Sequence, residues 1–365
     1  MASQLRWELD DAPAAQGGGQ AALFEPVERH VGKGEFRGME FLHVRAKTII
    51  NELKDGPGFL PTPFTINAYR GCSHACTYCF ARPTHAYLGM GIGDDFDRRI
   101  VVKVNAVDVL RAELSPRRWA GHAIAMGTNT DPYQRCEGKY RLTRGMLELL
   151  TEAANPFSLL TKSTLVLRDL DLLAEAAKRT DVRVNLSIGT LDDDVWKATE
   201  PGTPHPRRRI RAVEALNEAG IPCGVLMGPV LPGISDGPEQ LEDVVRAALD
   251  AGAVSVGSVL LHLRPGVRDH YLATIERDRP DLVARYQRLY PEGRSYAPAA
   301  ERRRVSGLVQ GLLRQYGGRT MASSDGNEDL DDAARPATAR PVAVRSRTAG
   351  GGPDRSAVDQ LALGL

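Results

Sequence analysis

The sequence predicts an α/β fold built on an open parallel sheet, because short apolar runs alternate along the chain with amphipathic helical segments. The apolar runs typical of buried strands are residues 64–69, 122–127, 157–162, 182–188, 223–230 and 254–263. The helical spacers are residues 107–114, 142–153, 170–177, 210–219 and 241–251. Six strands are too few for a closed eight-stranded barrel, so a partial barrel and a doubly wound sheet are both candidates. In either fold, ligands bind at the carboxyl ends of the strands.

The segments that flank this pattern predict less regular structure. Residues 1–58 begin with glycine-rich stretches that show little periodicity, and we expect a partly ordered N-terminal arm. Residues 265–316 predict a C-terminal helical extension of two helices, 267–289 and 298–316, that covers an open edge of the sheet. Residues 317–365 contain no aromatic side chain and predict a disordered tail.

Composition limits the class of protein. The chain has 47 Lys and Arg against 46 Asp and Glu, so any contact with nucleic acid would have to be a local patch. It has neither a long uninterrupted apolar run nor a signal-peptide pattern at its start, so we expect a cytoplasmic protein with no membrane partner. Five cysteines in 365 residues are too few for a disulfide scaffold, and a tight cysteine cluster then indicates metal or redox chemistry.

Three of the five cysteines form such a cluster directly after the first predicted strand. Cys72, Cys76 and Cys79 have the spacing C-x3-C-x2-C. Three thiolates on one loop can converge on a cuboidal iron-sulfur cluster and leave one iron open to a substrate or cofactor. The alternative is a structural zinc site with His74 or His85 as fourth ligand, in a nucleic-acid-binding protein without turnover. A pure electron-transfer cluster is disfavoured because no fourth cysteine has suitable spacing.

The loop from Cys72 to Cys79, with Tyr78 as its aromatic residue, resembles that of the radical S-adenosylmethionine (radical SAM) superfamily. This resemblance implies a partial (β/α)6 barrel of the radical SAM type over residues 59–264. It also implies a [4Fe-4S] cluster on Cys72, Cys76 and Cys79 whose open iron chelates S-adenosyl-L-methionine. One electron then cleaves the sulfonium to methionine and a 5′-deoxyadenosyl radical, which abstracts a substrate hydrogen. The electron would come from a donor such as flavodoxin or ferredoxin.

The longer stretches 66–74, 80–85 and 130–134 are similar to the branch that contains spore photoproduct lyase and DNA-repair photolyase-like bacterial proteins. This similarity makes a nucleic acid or nucleotide a candidate substrate, and a peptide or a small metabolite is the alternative. The chain departs from that branch at residues 125–127, where spore photoproduct lyase has a hydrogen-donating cysteine, and at Phe80, where it has a tyrosine. Cys136, in the loop after the second strand, is therefore the candidate hydrogen donor, and the alternative is an ordinary loop cysteine without such a role.

Polar residues at the ends of the predicted strands are candidates for binding the cofactor. In the loop after the second strand, an oxygen atom of a threonine, asparagine or aspartate could accept from the methionine ammonium. Lys162 ends the third strand and resembles a branch lysine that faces the cofactor, where it could pair with the methionine carboxylate. The alternatives are an ordinary polar turn and solvated strand ends. The complete set of candidates is Tyr78, Thr128, Asn129, Asp131, Lys162, Ser187 and Arg209.

Overall fold

A computed structural model describes residues 9–11, 28–53, 60, 62–115 and 117–321. The strands are β1 (Leu9–Asp11), β2 (Glu28–Gly32), β3 (Glu40–Val44), β4 (Ile50–Glu52), β5 (Phe64–Ile66), β6 (Tyr69–Arg70), β7 (Arg99–Lys103), β8 (Ile124–Met126), β9 (Phe157–Thr161), β10 (Val182–Ser187), β11 (Cys223–Val230) and β12 (Val256–Leu260). The α-helices are α1 (Asp94–Arg98), α2 (Ala106–Glu113), α3 (Glu137–Tyr140), α4 (Leu142–Glu152), α5 (Leu170–Arg179), α6 (Asp193–Thr199), α7 (Pro206–Glu218), α8 (Pro238–Asp250), α9 (Val267–Asp278), α10 (Val283–Leu289) and α11 (Ala299–Tyr316). Short 3₁₀-helices span Gly34–Phe36, Arg82–Leu88, Thr164–Asp169 and Pro280–Leu282.

The larger sheet has the strand order β12-β11-β10-β9-β8-β5-β4. The strands from β12 to β5 are parallel, and β4 is antiparallel to β5 at the edge. Because the parallel strands follow one another in chain order, the sheet lacks the reversal point of a doubly wound fold. The predicted α/β fold is confirmed, and of its two candidate architectures the strand order matches the partial barrel.

Local sequence accounts for these strands and helices. Side chains of β10 and β11 are mostly buried, because helices cover the sheet and leave the parallel strands little contact with water. The α7 and α8 helices both have proline in their first turn, where the missing N–H has no helical partner in any case. The α6 helix is capped by Asp192, the residue before it, whose Oδ1 atom accepts hydrogen bonds from two backbone amides at 2.9 Å.

A smaller sheet has the order β1-β2-β3-β7-β6. The described parts of the predicted N-terminal arm, residues 9–11 and 28–53, contain the strands β1 to β4, of which β4 belongs to the larger sheet. Residues 1–8, 12–27 and 54–58 of the arm lie outside the described residues. The predicted strand 64–69 is two strands in different sheets, β5 in the larger and β6 in the smaller. The cysteine loop follows β6 directly and so begins where the two sheets meet.

The C-terminal extension differs from the prediction in two places. The helix predicted over residues 267–289 is interrupted at Pro280, whose ring cannot continue the helix that ends at Asp278. Residues 317–321 belong to the folded protein and not to a disordered tail, because the Met321 amide donates to the Val256 carbonyl at 3.0 Å. The rest of the predicted tail, 322–365, lies outside the described residues. None of the described helices is both long and apolar enough to cross a membrane.

Gly127, directly after β8, provides a test of how closely the strands pack. Its φ is +91°, and a Cβ atom there would lie 2.0 Å from the Leu160 carbonyl oxygen. We expect Gly127→Ala to lower the free energy of unfolding by at least about 2 kcal/mol. As a control, Gly307→Ala in α11, where a Cβ meets nothing within 4 Å, should raise it by up to about 1 kcal/mol. Urea unfolding of the two variants measures both values, and equal stability would contradict the described packing.

Candidate active site

The cysteine loop begins at a position that only glycine fits. Gly71 has a φ of +81°, and a Cβ atom there would lie 2.8 Å from Cε1 of His85. The next residue, Cys72, donates its backbone N–H to the Phe96 carbonyl at 3.0 Å. The side chains of Cys72 and Cys76 are buried, and Cys79 is half-buried. The loop is therefore folded tightly against the protein.

Buried polar side chains from neighbouring segments fix the backbone of this loop. The Arg82 guanidinium donates to the Cys76 carbonyl at 2.9 and 3.1 Å and is paired with Asp97 at 2.9 Å. Gln134 donates to the Gly71 carbonyl at 3.0 Å and accepts from the Ser73 amide at 3.1 Å. These hydrogen bonds from other protein groups hold the backbone of the loop in place.

The protonation of the thiols decides how they can bind a metal. Burial raises the pKa of Cys72, Cys76 and Cys79 above the ordinary value for a thiol. Without a metal the three groups are therefore protonated near neutral pH. A metal that binds here must displace their protons, which favours ions that form strong bonds to thiolate sulfur. Iron in a sulfide cluster fits this donor set.

The spacing of the thiols argues against one zinc ion. Thiolates around a single zinc ion lie within about 4 Å of one another, because each Zn–S bond is about 2.3 Å long. Within the described ranges, the one group of three possible ligands whose atoms all lie within 4.8 Å of one another is Glu28, His30 and His43, in the smaller sheet. The three cysteines do not converge in this way. A cuboidal cluster fits sulfur atoms that lie farther apart, because each cysteine binds a different iron.

The two histidines considered as a fourth zinc ligand have other contacts. The Nδ1 atom of His74 lies 3.3 Å from a carboxylate oxygen of Asp131. The Nε2 atom of His85 lies 3.0 Å from the Arg99 carbonyl oxygen, and burial lowers the pKa of His85 to about 4. Among the described residues, neither histidine belongs to a group of three possible ligand atoms that all lie within 4.8 Å of one another.

Asp131 joins the cysteine loop to the ends of β8 and β9. Its carboxylate accepts hydrogen bonds from the Thr161 hydroxyl at 2.6 Å, the Lys162 amide at 2.7 Å and the Tyr133 amide at 2.9 Å. Burial by itself would raise the pKa of Asp131, but His74 and these donors outweigh burial and lower it. Asp131 is thus an ionised group that holds three segments together. Its expected contact with the methionine ammonium stays a prediction.

Thr128 and Asn129 lie beside the end of β5. The Asn67 side chain donates to the Thr128 hydroxyl at 3.3 Å and accepts from the Asn129 amide at 3.4 Å. Asn67 is buried and follows β5 directly, so it fixes this loop against the neighbouring strand. Its role was not predicted from the sequence.

A buried carboxylate, Glu200, is the centre of the remaining candidates. It forms ion pairs with Arg209 at 2.6 Å and with Lys162 at 3.2 Å, and it accepts a hydrogen bond from the Tyr78 hydroxyl. Burial by itself would raise the pKa of Glu200, but the two cations outweigh burial and hold this pKa well below its usual range. Glu200 is therefore ionised, and it connects the cysteine loop to two other elements.

Ser187 at the end of β10 completes this arrangement. The Lys162 ammonium donates to the Ser187 hydroxyl at 2.5 Å and to the Gly228 carbonyl at 3.0 Å. The Arg209 guanidinium donates to the Ser187 carbonyl at 2.7 Å. We define the Glu200 network as Tyr78, Lys162, Ser187, Glu200 and Arg209.

The structure thus brings four of the predicted cofactor-binding residues together. Glu200 itself was not among them, although it precedes a proline and the helix that carries Arg209. The network places two cations against one carboxylate. This excess positive charge suits an anionic group of a ligand.

Cys136 lies elsewhere, at the start of α3. Its side chain is only 1% exposed, and burial, followed by Glu137, raises the pKa of its thiol. Cys136 belongs to the same hydrophobic core as the buried Tyr69, and the half-buried Tyr140 packs against that core. Its expected role as hydrogen donor stays a prediction.

Comparison with known proteins places these features in context. The family model "Radical SAM superfamily" matches residues 66–248. The uncharacterized protein Rv2578c of Mycobacterium tuberculosis is 42% identical over 288 residues, which cover 79% of this chain and 84% of that protein. The uncharacterized protein MJ0683 of Methanocaldococcus jannaschii is 33% identical over 198 residues, which cover 54% of this chain and 70% of that protein. Spore photoproduct lyase with bound AdoMet and dinucleoside spore photoproduct has a similar fold, with a TM-score of 0.58 and 18% identity. The match covers 78% of this chain and 82% of that chain.

Gly202, two residues after Glu200, packs against the cysteine loop and tests whether the position of the loop depends on this contact. Its amide donates to the His74 carbonyl at 3.0 Å, and a Cβ atom there would lie 2.2 Å from the Ser73 carbonyl oxygen. We expect Gly202→Ala to displace the loop and to weaken iron binding by roughly tenfold or more. Gly311→Ala in α11, whose Cβ would meet only one side-chain atom at 3.9 Å, is the matched control. Iron content after anaerobic reconstitution measures the effect, and equal iron in both variants would refute it.

Proposed function

Because this chain belongs to the radical SAM superfamily, we propose that it uses a [4Fe-4S] cluster to cleave S-adenosylmethionine reductively and to abstract hydrogen from a nucleic-acid or nucleotide substrate. The chain is an enzyme, and the alternative of a zinc-stabilised protein without turnover is not supported. One observation carries the proposal: the cysteine loop meets the Glu200 network at the carboxyl ends of the parallel strands. Tyr78 supplies the direct contact, and the Thr77 amide donates to the Thr199 carbonyl at 3.0 Å beside it.

Cys72, Cys76 and Cys79 would hold the cluster. When bound, the cluster supplies the electron that cleaves S-adenosylmethionine to methionine and a 5′-deoxyadenosyl radical. The protein keeps the three thiols on one loop and fixes that loop through Arg82 and Gln134. Radical SAM enzymes need a reductant, and we propose flavodoxin or ferredoxin as the donor.

Lys162 is our candidate partner for the methionine carboxylate. Its ammonium lies over the Tyr78 ring at 5.7 Å and is therefore close to the cysteine loop. Its three present acceptors belong to Ser187, Gly228 and Glu200, so a bound carboxylate would replace one of them. Glu200 is the natural one to exchange, because Arg209 still neutralises it. The incoming negative charge would balance the excess positive charge of the network.

The other candidates would contact different parts of the cofactor. Oxygen atoms of Thr128 and Asn129 could accept from the methionine ammonium, since both residues follow β8 at the same edge of the sheet. Ser187 ends β10 and is proposed to contact the ribose or the methionine end. Arg209 and Tyr78 act through Glu200, whose position they fix.

A nucleic acid or nucleotide is the proposed substrate class. The resemblance to the spore photoproduct lyase branch supports it, as does the similar fold of that enzyme, which is described with a bound dinucleoside. Arginine side chains offer contacts for phosphate. Arg207, Arg208 and Arg211 line a cavity of about 430 Å³ at the start of α7, whereas Arg209 points into the Glu200 network.

Removal of one cluster ligand tests the reaction class. We expect the anaerobically reconstituted protein, reduced with dithionite, to form 5′-deoxyadenosine from S-adenosylmethionine. Cys76→Ala should abolish this product because it removes a cluster ligand. Cys223→Ala, which replaces another buried cysteine at the start of β11, away from the carboxyl ends of the strands, should retain it. A colourless wild-type protein that binds one zinc ion would refute the proposal.

Replacement of Lys162 tests the proposed carboxylate contact. We expect Lys162→Gln to weaken S-adenosylmethionine binding by roughly tenfold to a hundredfold, the value of a hydrogen bond to a charged group. Lys178→Gln is the matched control, because Lys178 lies exposed on α5. Equilibrium dialysis with the reconstituted protein measures both affinities. If Lys162→Gln binds as tightly as wild type, the carboxylate is bound elsewhere.

A further inference from the structure

The smaller sheet places three possible metal ligands on one face, away from the cysteine loop. The antiparallel strands β2 and β3 pair Glu28 directly with His43. Side chains two residues apart on a strand point to the same face, so His30 lies beside Glu28 on β2. Cross-strand partners on one face have adjacent side chains. Strand geometry therefore brings one carboxylate and two imidazoles together.

The three ligand atoms form a nearly equilateral triangle. The Glu28 Oε2 atom lies 3.1 Å from Nε2 of His30 and 3.4 Å from Nδ1 of His43, and the two nitrogens are 3.1 Å apart. Nitrogen and oxygen ligands bind a tetrahedral or octahedral transition-metal ion at about 2.0–2.2 Å, which places them roughly 3–3.5 Å from one another. The triangle has the size that one such ion requires.

Hydrogen bonds among these three atoms cannot satisfy all three contacts at once. The single Nε2 atom of His30 faces both the Glu28 carboxylate and His43, and one N–H cannot point at two acceptors at once. The other ring nitrogen of His43, Nε2, lies 2.8 Å from the Tyr140 hydroxyl. When His43 donates from Nε2 to this hydroxyl, its Nδ1 atom presents a lone pair to the centre of the triangle.

The surroundings resemble those of metal-binding histidines. Such histidines donate their second ring nitrogen to a partner that fixes the ring, and Tyr140 in α3 occupies that position for His43. The side chains of His30 and His43 are 13% and 14% exposed, whereas Glu28 is 62% exposed. The imidazoles are thus held by the protein, and the carboxylate side is open to water or a further ligand.

We propose that Glu28, His30 and His43 form a second metal site that binds one divalent first-row transition ion of the Zn²⁺ class. Imidazole and carboxylate ligands suit such ions, and the site uses no thiolate. A bound ion would join β2 and β3 to each other and, through Tyr140, to α3. The site is independent of the proposed radical reaction, because none of its residues belongs to the cysteine loop or the Glu200 network.

Cobalt is a suitable probe because its visible spectrum reports its ligands. We would titrate Co²⁺ into untagged protein whose cysteines already hold the reconstituted cluster. We expect one additional ion per chain with nitrogen and oxygen ligands and no sulfur, measured by X-ray absorption at the cobalt edge. Glu28→Gln and His43→Gln should each weaken this binding by at least about tenfold. His122→Gln, which changes an exposed histidine elsewhere, should bind as wild type does.

A second variant tests whether metal binding at this site is independent of the cysteines. The full chain with Cys72, Cys76 and Cys79 all replaced by alanine cannot form the cluster and should still bind one Co²⁺ ion. Circular dichroism checks that each variant is folded. Sulfur ligands on the additional ion, loss of binding in the triple cysteine variant, or unchanged binding in Glu28→Gln and His43→Gln would each overturn the proposal.

Discussion

The arrangement of the active site depends on one buried carboxylate, Glu200. It is paired with Lys162 at the end of β9 and with Arg209 in α7, and it accepts a hydrogen bond from Tyr78 in the cysteine loop. Removing one partner of a buried ion pair costs several kcal/mol, about 3–5 in typical proteins, because the remaining charge has no water around it. Glu200 therefore ties the orientation of the cysteine loop to the ends of the strands.

The cysteine loop is organised by the protein and not by the metal it is proposed to hold. Gly71 permits its tight entry, and Arg82 and Gln134 bind its backbone. Burial meanwhile opposes ionisation of the thiols. These two facts are complementary: the loop has a fixed shape, and its thiols need a strongly bound metal to lose their protons. Asp131 joins this loop to β9, so the metal ligands and the strand ends form one connected unit.

The sequence predicted the parallel sheet and the cysteine loop well, because both have regular spacing. The places of Lys162 and Ser187 at strand ends were predictable for the same reason, since each follows or ends a recognisable strand. Their contacts with the cofactor stay predictions. Glu200 was not predicted, because a single carboxylate before a helix has no spacing that distinguishes it from a surface residue. The smaller sheet was also missed. Its strands are only two to five residues long, and the pairing of β3 with β7 joins residues far apart in the chain.

The central claim is that the cysteine loop and the Glu200 network together form a site for a cluster and S-adenosylmethionine. Electron–nuclear double resonance of the reduced, reconstituted protein tests it most directly, with S-adenosylmethionine labelled with ¹⁷O in its carboxylate and ¹⁵N in its amino group. The account predicts hyperfine coupling of both labels to the cluster, which places the methionine end on the open iron. A fully loaded and reduced cluster that shows no coupling to either label would contradict it.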